Sequence, residues 1–256
     1  FTWVSTANAI LNAGCKPVFA DIELNSRNID PESIIKNITK KTVAIIIVHF
    51  SGLPCDMEKI TKICKRYKLR LIEDSAETLG ATYKKKYTGS FGLGCFSFFP
   101  TKNITTTEGG MLTFQDKKLF DKAKLIIAHG IDKNLKKNFW HRESSLAGHN
   151  YRLPNHLAAL GFSQLNKLNL FNKKRRVIAK IYDKELSILD KFFKIQKIPK
   201  NFTHSYQMYT VRVPQKYRNI FLDFMRKKNI EVSVHFDPPL HQQKYLKKYY
   251  KKKLPK

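Results

Sequence analysis

TVAIIIVHFSGLPCDMEKITKICKRYKLRLIED, residues 42–74, holds the alternation that sets the fold class. The β-branched run from Thr42 to Val48 is too continuous for a strand with one wet face, so it is expected at the centre of a sheet. Asp56 carries the side chain of a helix N-cap and opens a helical pattern through Tyr67, and Leu69 to Glu73 returns as a strand. Strand, helix and strand at this spacing make a βαβ rhythm, which argues for an α/β chain with a mostly parallel sheet flanked by helices.

Outward from that unit the signals continue to alternate. Trp3 to Ala13 has helical character and stops at Gly14, Pro17 to Ala20 reads as a short strand, and Asp30-Pro31-Glu32 places an N-cap before a proline at the first helical position. Thr82 to Gly89 reads as a hairpin, and Cys95 to Phe99 as a buried strand that Pro100 stops before a polar loop and a second apolar run, Met111 to Phe114. A helix is expected from Lys117 to about His129, then a polar loop through Ser145. Asn155 can cap a long helix to about Phe171, and another should run from Lys173 to about Leu189. Ser205 to Val213 and Glu231 to Phe236 look like strands around a helix near Tyr217 to Lys228. The expected division is therefore a large domain over residues 1–171 and a small α+β domain over 172–256.

Two positions in this frame suit chemistry. Lys102 stands between an apolar strand and a Thr- and Gly-rich loop ending Glu108-Gly109-Gly110. An amine beside apolar side chains loses solvation, which favours its neutral, nucleophilic form and suits it to an imine with an aldehyde cofactor. The rival reading is a lysine that snorkels outward from its loop. Asp74 ends a buried strand, where open α/β sheets bind ligands, and a buried acid there needs a cationic partner. The protonated ring nitrogen of pyridoxal phosphate would supply one; a helix N-cap is the alternative for Asp74.

Composition narrows the classes. The 256 residues carry 48 Lys and Arg against 20 Asp and Glu, a formal charge of +28. The lysines are spread along the chain without a nucleic-acid motif, and runs such as Lys173-Lys174-Arg175-Arg176 and Lys251-Lys252-Lys253 read as solvated faces, so no nucleic-acid partner is expected. Cys15, Cys55, Cys64 and Cys95 form no C-x-x-C pair and lie among apolar residues, which points to buried free thiols, no metal site and a reducing cytoplasm. No apolar run approaches a membrane span, and no repeat is present.

Together the segments Phe1 to Ala9, Pro17 to Asp21, Val48-His49-Phe50-Ser51-Gly52, the Asp74 turn, the Lys102 loop, Gly148-His149-Asn150-Tyr151-Arg152 and Val234-His235-Phe236 follow one order. In that order the chain resembles the sugar aminotransferases of the DegT/DnrJ/EryC1/StrS family, pyridoxal-phosphate enzymes of fold type I. Phe1 falls inside a motif, a Ser-Gly-Thr phosphate turn that relatives carry upstream is absent, and Leu254-Pro255-Lys256 stops without a closing helix, so a fragment lacking both ends is expected.

The resemblance implies roles residue by residue. Lys102 would form the Schiff base with the cofactor and shuttle the proton between the substrate carbon and the cofactor's C4′ carbon. Asp74 would keep the pyridine nitrogen protonated, Ala76 would pack on the ring, and Glu77 would stand beside the ring hydroxyl unless it faces solvent. Ser97 would donate to the phosphate, or else be a strand serine bonded to backbone. Asn150 resembles an asparagine that relatives insert from the neighbouring subunit to reach the phosphate, which implies a homodimer with shared active sites. Trp3 would stack on the cofactor or belong to the core. His49, His129 and His235 align with positions near the substrate cleft, and each has a structural alternative.

The implied reaction moves an amino group from glutamate to a keto group on a nucleotide-linked deoxysugar, in surface polysaccharide or amino-sugar biosynthesis. The loop from Lys102 to Gly110 looks more like relatives that act at C4, although Thr107 stands where glycine is common. The basic excess would help attract an anionic nucleotide-sugar. Two alternatives stay open: a pyridoxal-phosphate sugar dehydratase, whose known forms typically lose the lysine, and a non-catalytic or regulatory cofactor-binding paralogue.

Overall fold

The computed structural model describes residues 1–135 and 137–249, so the Lys251-Lys252-Lys253 run and the closing Leu254-Pro255-Lys256 lie outside the described residues. Helices α1 (Val4–Asn12) and α2 (Pro31–Asn37) precede the unit β1 (Ala44–Val48), α3 (Met57–Arg66) and β2 (Arg70–Asp74). A hairpin of β3 (Thr82–Tyr83) and β4 (Lys86–Tyr87) follows, then β5 (Leu93–Ser97) and β6 (Gly110–Thr113). Helices α4 (Lys117–Ile126), α5 (Asn155–Leu165) and α6 (Leu168–Ser187) lead to short strands β7 (Lys194–Ile195), β8 (Phe202–Thr203) and β9 (Val211–Arg212), and to α7 (Gln215–Lys227).

The main sheet has the order β1-β2-β5-β6. β1 pairs in parallel with β2, and β2 with β5, while β6 runs antiparallel to β5. The register sets Val48 opposite Asp74 and Asp74 opposite Cys95, which brings the ends of β1 and β2 level with the middle of β5. Asp56 caps α3 by accepting the Lys59 N–H at 3.2 Å, and Lys65 and Arg66 in the last turn complement the helix dipole. α3 presses Met57, Ile60, Ile63 and Cys64 against Ile45 and Ile47 of β1. Each large apolar side chain sealed there contributes about 2 kcal/mol.

β1 stands at the edge of the four described strands, not at the centre. Its unbroken apolar run has a different cause: α3 covers Ile45 and Ile47, while Ile46 and Val48 line a cavity closed by Ala7 and Ile10 of α1. Several other segments also depart from expectation. Pro17 to Ala20 forms no strand, having no N–H at Pro17 to start a ladder, and the nearby pairing is a single bridge between Ile22 and Ile29. Asn155 is the first residue of α5 and caps nothing; the expected long helix breaks at Asn166-Lys167, where Leu168 turns inward to pack with Phe98 and Ile104. Glu231 to Phe236 forms no strand: 231–234 carry no regular structure, and His235 and Phe236 lie in a turn. Within Ser205 to Val213, Val211 and Arg212 alone are strand, because Ser205 and Met208 spend their N–H groups on the carbonyls of Gly52 and Ser51. Cys15 is exposed, whereas Cys55 and Cys64 are buried.

The hairpin shows both central residues, Lys84 and Lys85, at positive φ (48° and 67°), as a type I′ turn requires. β8 pairs with β3, so the chain beyond residue 200 joins the hairpin in a second sheet of order β4-β3-β8, and residue 172 lies within α6.

Candidate active site

Successive residues of a strand point to opposite faces, so Glu73 and Asp74 at the end of β2 cannot share an environment. Glu73 is fully buried. Its Oε1 accepts the Phe91 and Gly92 N–H groups, both at 2.7 Å, and its Oε2 accepts the Gly89 N–H at 2.8 Å. His49 completes the set: Nδ1 accepts the Cys55 N–H at 3.0 Å, which puts the ring hydrogen on Nε2, 3.2 Å from Glu73 Oε2. Burial pushes the Glu73 carboxyl up, and the bonds from His49, Gly92 and Gly89 reverse that and hold it below the usual range. His49 therefore belongs to the frame under the site. With both nitrogens engaged and no exposure, it has nothing to offer a substrate, which corrects its expected place in the cleft.

Asp74 is half-buried and faces the other way. Oδ2 accepts the Thr6 hydroxyl at 2.7 Å and Oδ1 accepts the Ala76 N–H at 3.2 Å. The second bond closes a tight turn; no helix follows, so Asp74 is not an N-cap. Both partners are neutral, and among the described residues no cation forms an ion pair with this carboxylate. Glu77 lies on the same turn, and its Oε2 accepts the Ser51 N–H at 2.6 Å, which rules out a solvent-facing side chain. Burial pushes its carboxyl up, partly offset by the Ser51 bond and the Lys102 charge, while Asp74 adds to the rise. Lys102 and Asp74 therefore both act on Glu77.

Lys102 emerges from a turn in which its N–H donates to the Phe99 carbonyl at 3.0 Å. The loop is tied back by Thr106 N–H and the Thr105 hydroxyl, both on the Phe98 carbonyl, at 3.0 and 2.8 Å. Lys102 is half-buried, and among the described residues its amine has no hydrogen bond or ion pair. Ser97, at the end of β5, accepts the Phe99 N–H at a long 3.4 Å, which leaves its hydroxyl hydrogen available. Thr107 has φ 64°, a conformation that suits glycine better than a β-branched side chain.

The remaining candidates fall in two further clusters. Trp3 is 62% exposed, so it is no core residue, and its ring tilts against Phe236 at 5.7 Å. His235 packs beside Phe236, its Nε2 2.8 Å from the Ser233 hydroxyl and its Nδ1 buried without a partner, and burial pushes its pKa down. His129 and Asn150 are both exposed and neighbour each other, through a bridge between Ala128 and Asn150 and a bond from His129 N–H to the His149 carbonyl.

The first cluster fits pyridoxal phosphate. An aldehyde needs an amine outside any salt bridge, and a pyridinium needs an acid whose charge no protein cation has taken; Lys102 and Asp74 meet these two conditions. Ala76 leaves room at the turn, and Ser97 offers a hydroxyl to the phosphate. Thr6, Ser51 and the Glu73–His49 pair went unrecognised in the sequence. Glu73 is visible in the sequence as the first of two adjacent carboxylates, but no local signal marks Thr6.

Comparison with known proteins identifies the family and the fold. The DegT/DnrJ/EryC1/StrS aminotransferase family matches residues 1–256. A GDP-perosamine synthase of Escherichia coli O157:H7 is 36% identical over 253 residues, covering 96% of this chain and 67% of the relative. A UDP-4-amino-4,6-dideoxy-N-acetyl-beta-L-altrosamine transaminase of Helicobacter pylori is 36% identical over 248 residues, covering 95% and 65%. Among solved structures, Helicobacter pylori PseC, an aminotransferase involved in the biosynthesis of pseudoaminic acid, superposes with a TM-score of 0.93 at 34% identity, covering 100% of this chain and 68% of that one. The chain thus spans about two thirds of the length of these curated relatives.

Proposed function

We infer that this chain, which belongs to the DegT/DnrJ/EryC1/StrS aminotransferase family, carries the cofactor and substrate site of a pyridoxal-phosphate-dependent aminotransferase acting on a nucleotide-linked keto-deoxysugar. The observation that carries the reading is the Lys102 amine, unpaired among the described residues, beside a turn whose acid, Asp74, has two neutral hydrogen-bond partners and no cation among those residues. Bound pyridoxal phosphate supplies an aldehyde that condenses with amines and a ring that takes up electrons from the substrate carbon.

Lys102 would hold the cofactor and move a proton at the substrate carbon. Asp74 would keep a proton on the ring nitrogen, with Thr6 fixing the carboxylate's orientation. Trp3 would cover the ring face, Ser97 would donate to the phosphate, and Glu77 would stand beside the ring hydroxyl. Asn150, exposed and outside the Lys102 cluster, suits donation to a partner's phosphate, so we propose a homodimer with shared sites. His129, beside Asn150, and His235, beside Trp3's neighbour Phe236, line the approach of the sugar.

Glutamate as donor becomes 2-oxoglutarate, and the sugar ketone becomes an amine, so atoms and electrons balance without an external oxidant. The Helicobacter pylori relative is named for an amino group at C4, and the Lys102 loop supports the same position here. Surface polysaccharide or amino-sugar synthesis is the setting we propose. No described helix is long and apolar enough to cross a membrane. The buried free thiols Cys55 and Cys64 suit a reducing compartment, so we place the reaction in the cytoplasm.

The test is to supply full-length protein with pyridoxal phosphate, glutamate and a GDP- or UDP-linked 4-keto-6-deoxysugar. Release of 2-oxoglutarate with one amino sugar per turnover is expected. Loss of water from the sugar without 2-oxoglutarate would favour the dehydratase, and cofactor binding without turnover of these sugars a regulatory paralogue.

A further inference from the structure

The residue after Lys102 opens a buried amide ladder. Asn103 is 5% exposed and Asn172, on α6, 2%. Asn103 Nδ2 donates to Asn172 Oδ1 at 2.6 Å and to the Ser205 carbonyl at 2.8 Å. Asn172 Nδ2 in turn donates to the Leu79 carbonyl at 2.9 Å, on the turn that begins at Asp74. Ser205 reaches that turn by a second route, its hydroxyl donating to the Glu77 carbonyl at 3.0 Å and its N–H to the Gly52 carbonyl at 3.0 Å.

Two glycines make room for these contacts. A Cβ at Gly80, where φ is +80°, would meet Asn172 Nδ2 at 2.6 Å, and one at Gly52, where φ is +112°, would meet Ser205 Oγ at 2.6 Å. The ladder therefore joins the Lys102 loop to the Asp74–Gly80 turn twice, once through α6 and once through the segment at Ser205. A side-chain amide satisfies this geometry because it donates and accepts from one planar group. An aliphatic residue at Asn172 would leave the Leu79 carbonyl and one Asn103 hydrogen unpaired in the interior.

We propose that Asn103, Asn172 and Ser205 are positioning residues that hold Lys102 in register with Asp74 and Glu77. The proposal rests on Lys102 being the working amine. It goes beyond that reading in tying the amine's placement to α6 and to a segment about a hundred residues further along the chain.

The experiment uses the full-length dimer with three variants, Asn172→Ala, Asn103→Ser and Ser205→Ala. Deuterium uptake without cofactor is read in peptides covering 99–107, 75–81 and α6, and steady-state kinetics with cofactor. In Asn172→Ala both peptides should exchange faster together, and kcat should fall about tenfold while KM for both substrates stays within about twofold. The pH at which the bound cofactor's absorbance changes should shift as well, an effect that general loosening of α6 would not produce. Faster exchange confined to α6, or unchanged kcat, would overturn the proposal. If Asn172→Ala does not fold, Asn103→Ser and Ser205→Ala carry the same reading, and unchanged uptake and kcat in both overturns it. Borohydride trapping on the unaltered protein separates the two failures. An adduct away from Lys102 sinks the reading of the amine, whereas an adduct on Lys102 with uncoupled peptides sinks the ladder alone.

Discussion

Glu73 and Asp74 are neighbours in sequence and opposites in surroundings. Glu73 lies in a closed pocket with four donors on two oxygens; Asp74 is half-buried with one donor on each. Lone pairs already filled from the chain's own backbone mark a carboxylate that holds loops together. Spare lone pairs and an uncompensated charge mark one held ready for something else. The same contrast separates His49, with both nitrogens engaged inside, from the half-buried Lys102, whose amine has no partner among the described residues.

The largest effect should follow from the open side. In the full-length protein Asp74→Asn should keep the fold and much of the cofactor affinity while lowering turnover by about a hundredfold or more. Near-normal turnover would place the ring's partner elsewhere and erase the contrast. On the closed side, Glu73→Gln turns an acceptor's NH2 toward backbone donors and should cost about 3 kcal/mol in denaturant unfolding, with turnover per folded molecule little changed. Loss of activity at unchanged stability would reverse the two assignments.

pH sharpens the comparison. His204 is buried, with Nδ1 accepting the Tyr206 N–H at 2.8 Å and Nε2 3.1 Å from Gln196 Oε1, and burial pushes its pKa down to about 3. A histidine with a lowered folded pKa takes up its proton more readily when unfolded. Its contribution is therefore complete above the ordinary 6.5 and is lost as pH falls from there towards 3. Unfolding free energy should drop with a slope approaching about 1.4 kcal/mol per pH unit in that window, a slope that His204→Gln should flatten. Glu73 obeys the same sign at lower pH: its stabilisation is complete above the ordinary 4.5 and drains as pH falls through its lowered folded value. A stability profile flat from pH 7 to 5 would contradict the burial of His204.

The smallest effect is expected at Thr107. Glycine there relieves the positive φ but adds freedom to the unfolded chain, so Thr107→Gly should change stability by less than about 1 kcal/mol.

Much of this was legible in the sequence. The cap at Asp56, the proline at the start of α2, and the pairing of β5 with β6 across the Lys102 loop are local signals, and local chemistry sets them. What stayed hidden depends on contacts between distant segments. Thr6 meets Asp74 across sixty-eight positions, and Asn103 meets Ser205 across one hundred and two. The apolar run of β1 points to the centre of a sheet because continuity reports burial on both faces, and a helix on each side produces that at an edge as well. His49 looked functional by position because its partner, Glu73, becomes a partner only once β1 and β2 are in register.

The central claim is that Lys102 is the amine that holds the cofactor. Full-length protein loaded with pyridoxal phosphate is reduced with borohydride, digested and mapped by mass spectrometry. The account predicts one cofactor-sized adduct, on Lys102, and none in Lys102→Ala; an adduct on any other lysine of the unaltered protein would contradict it.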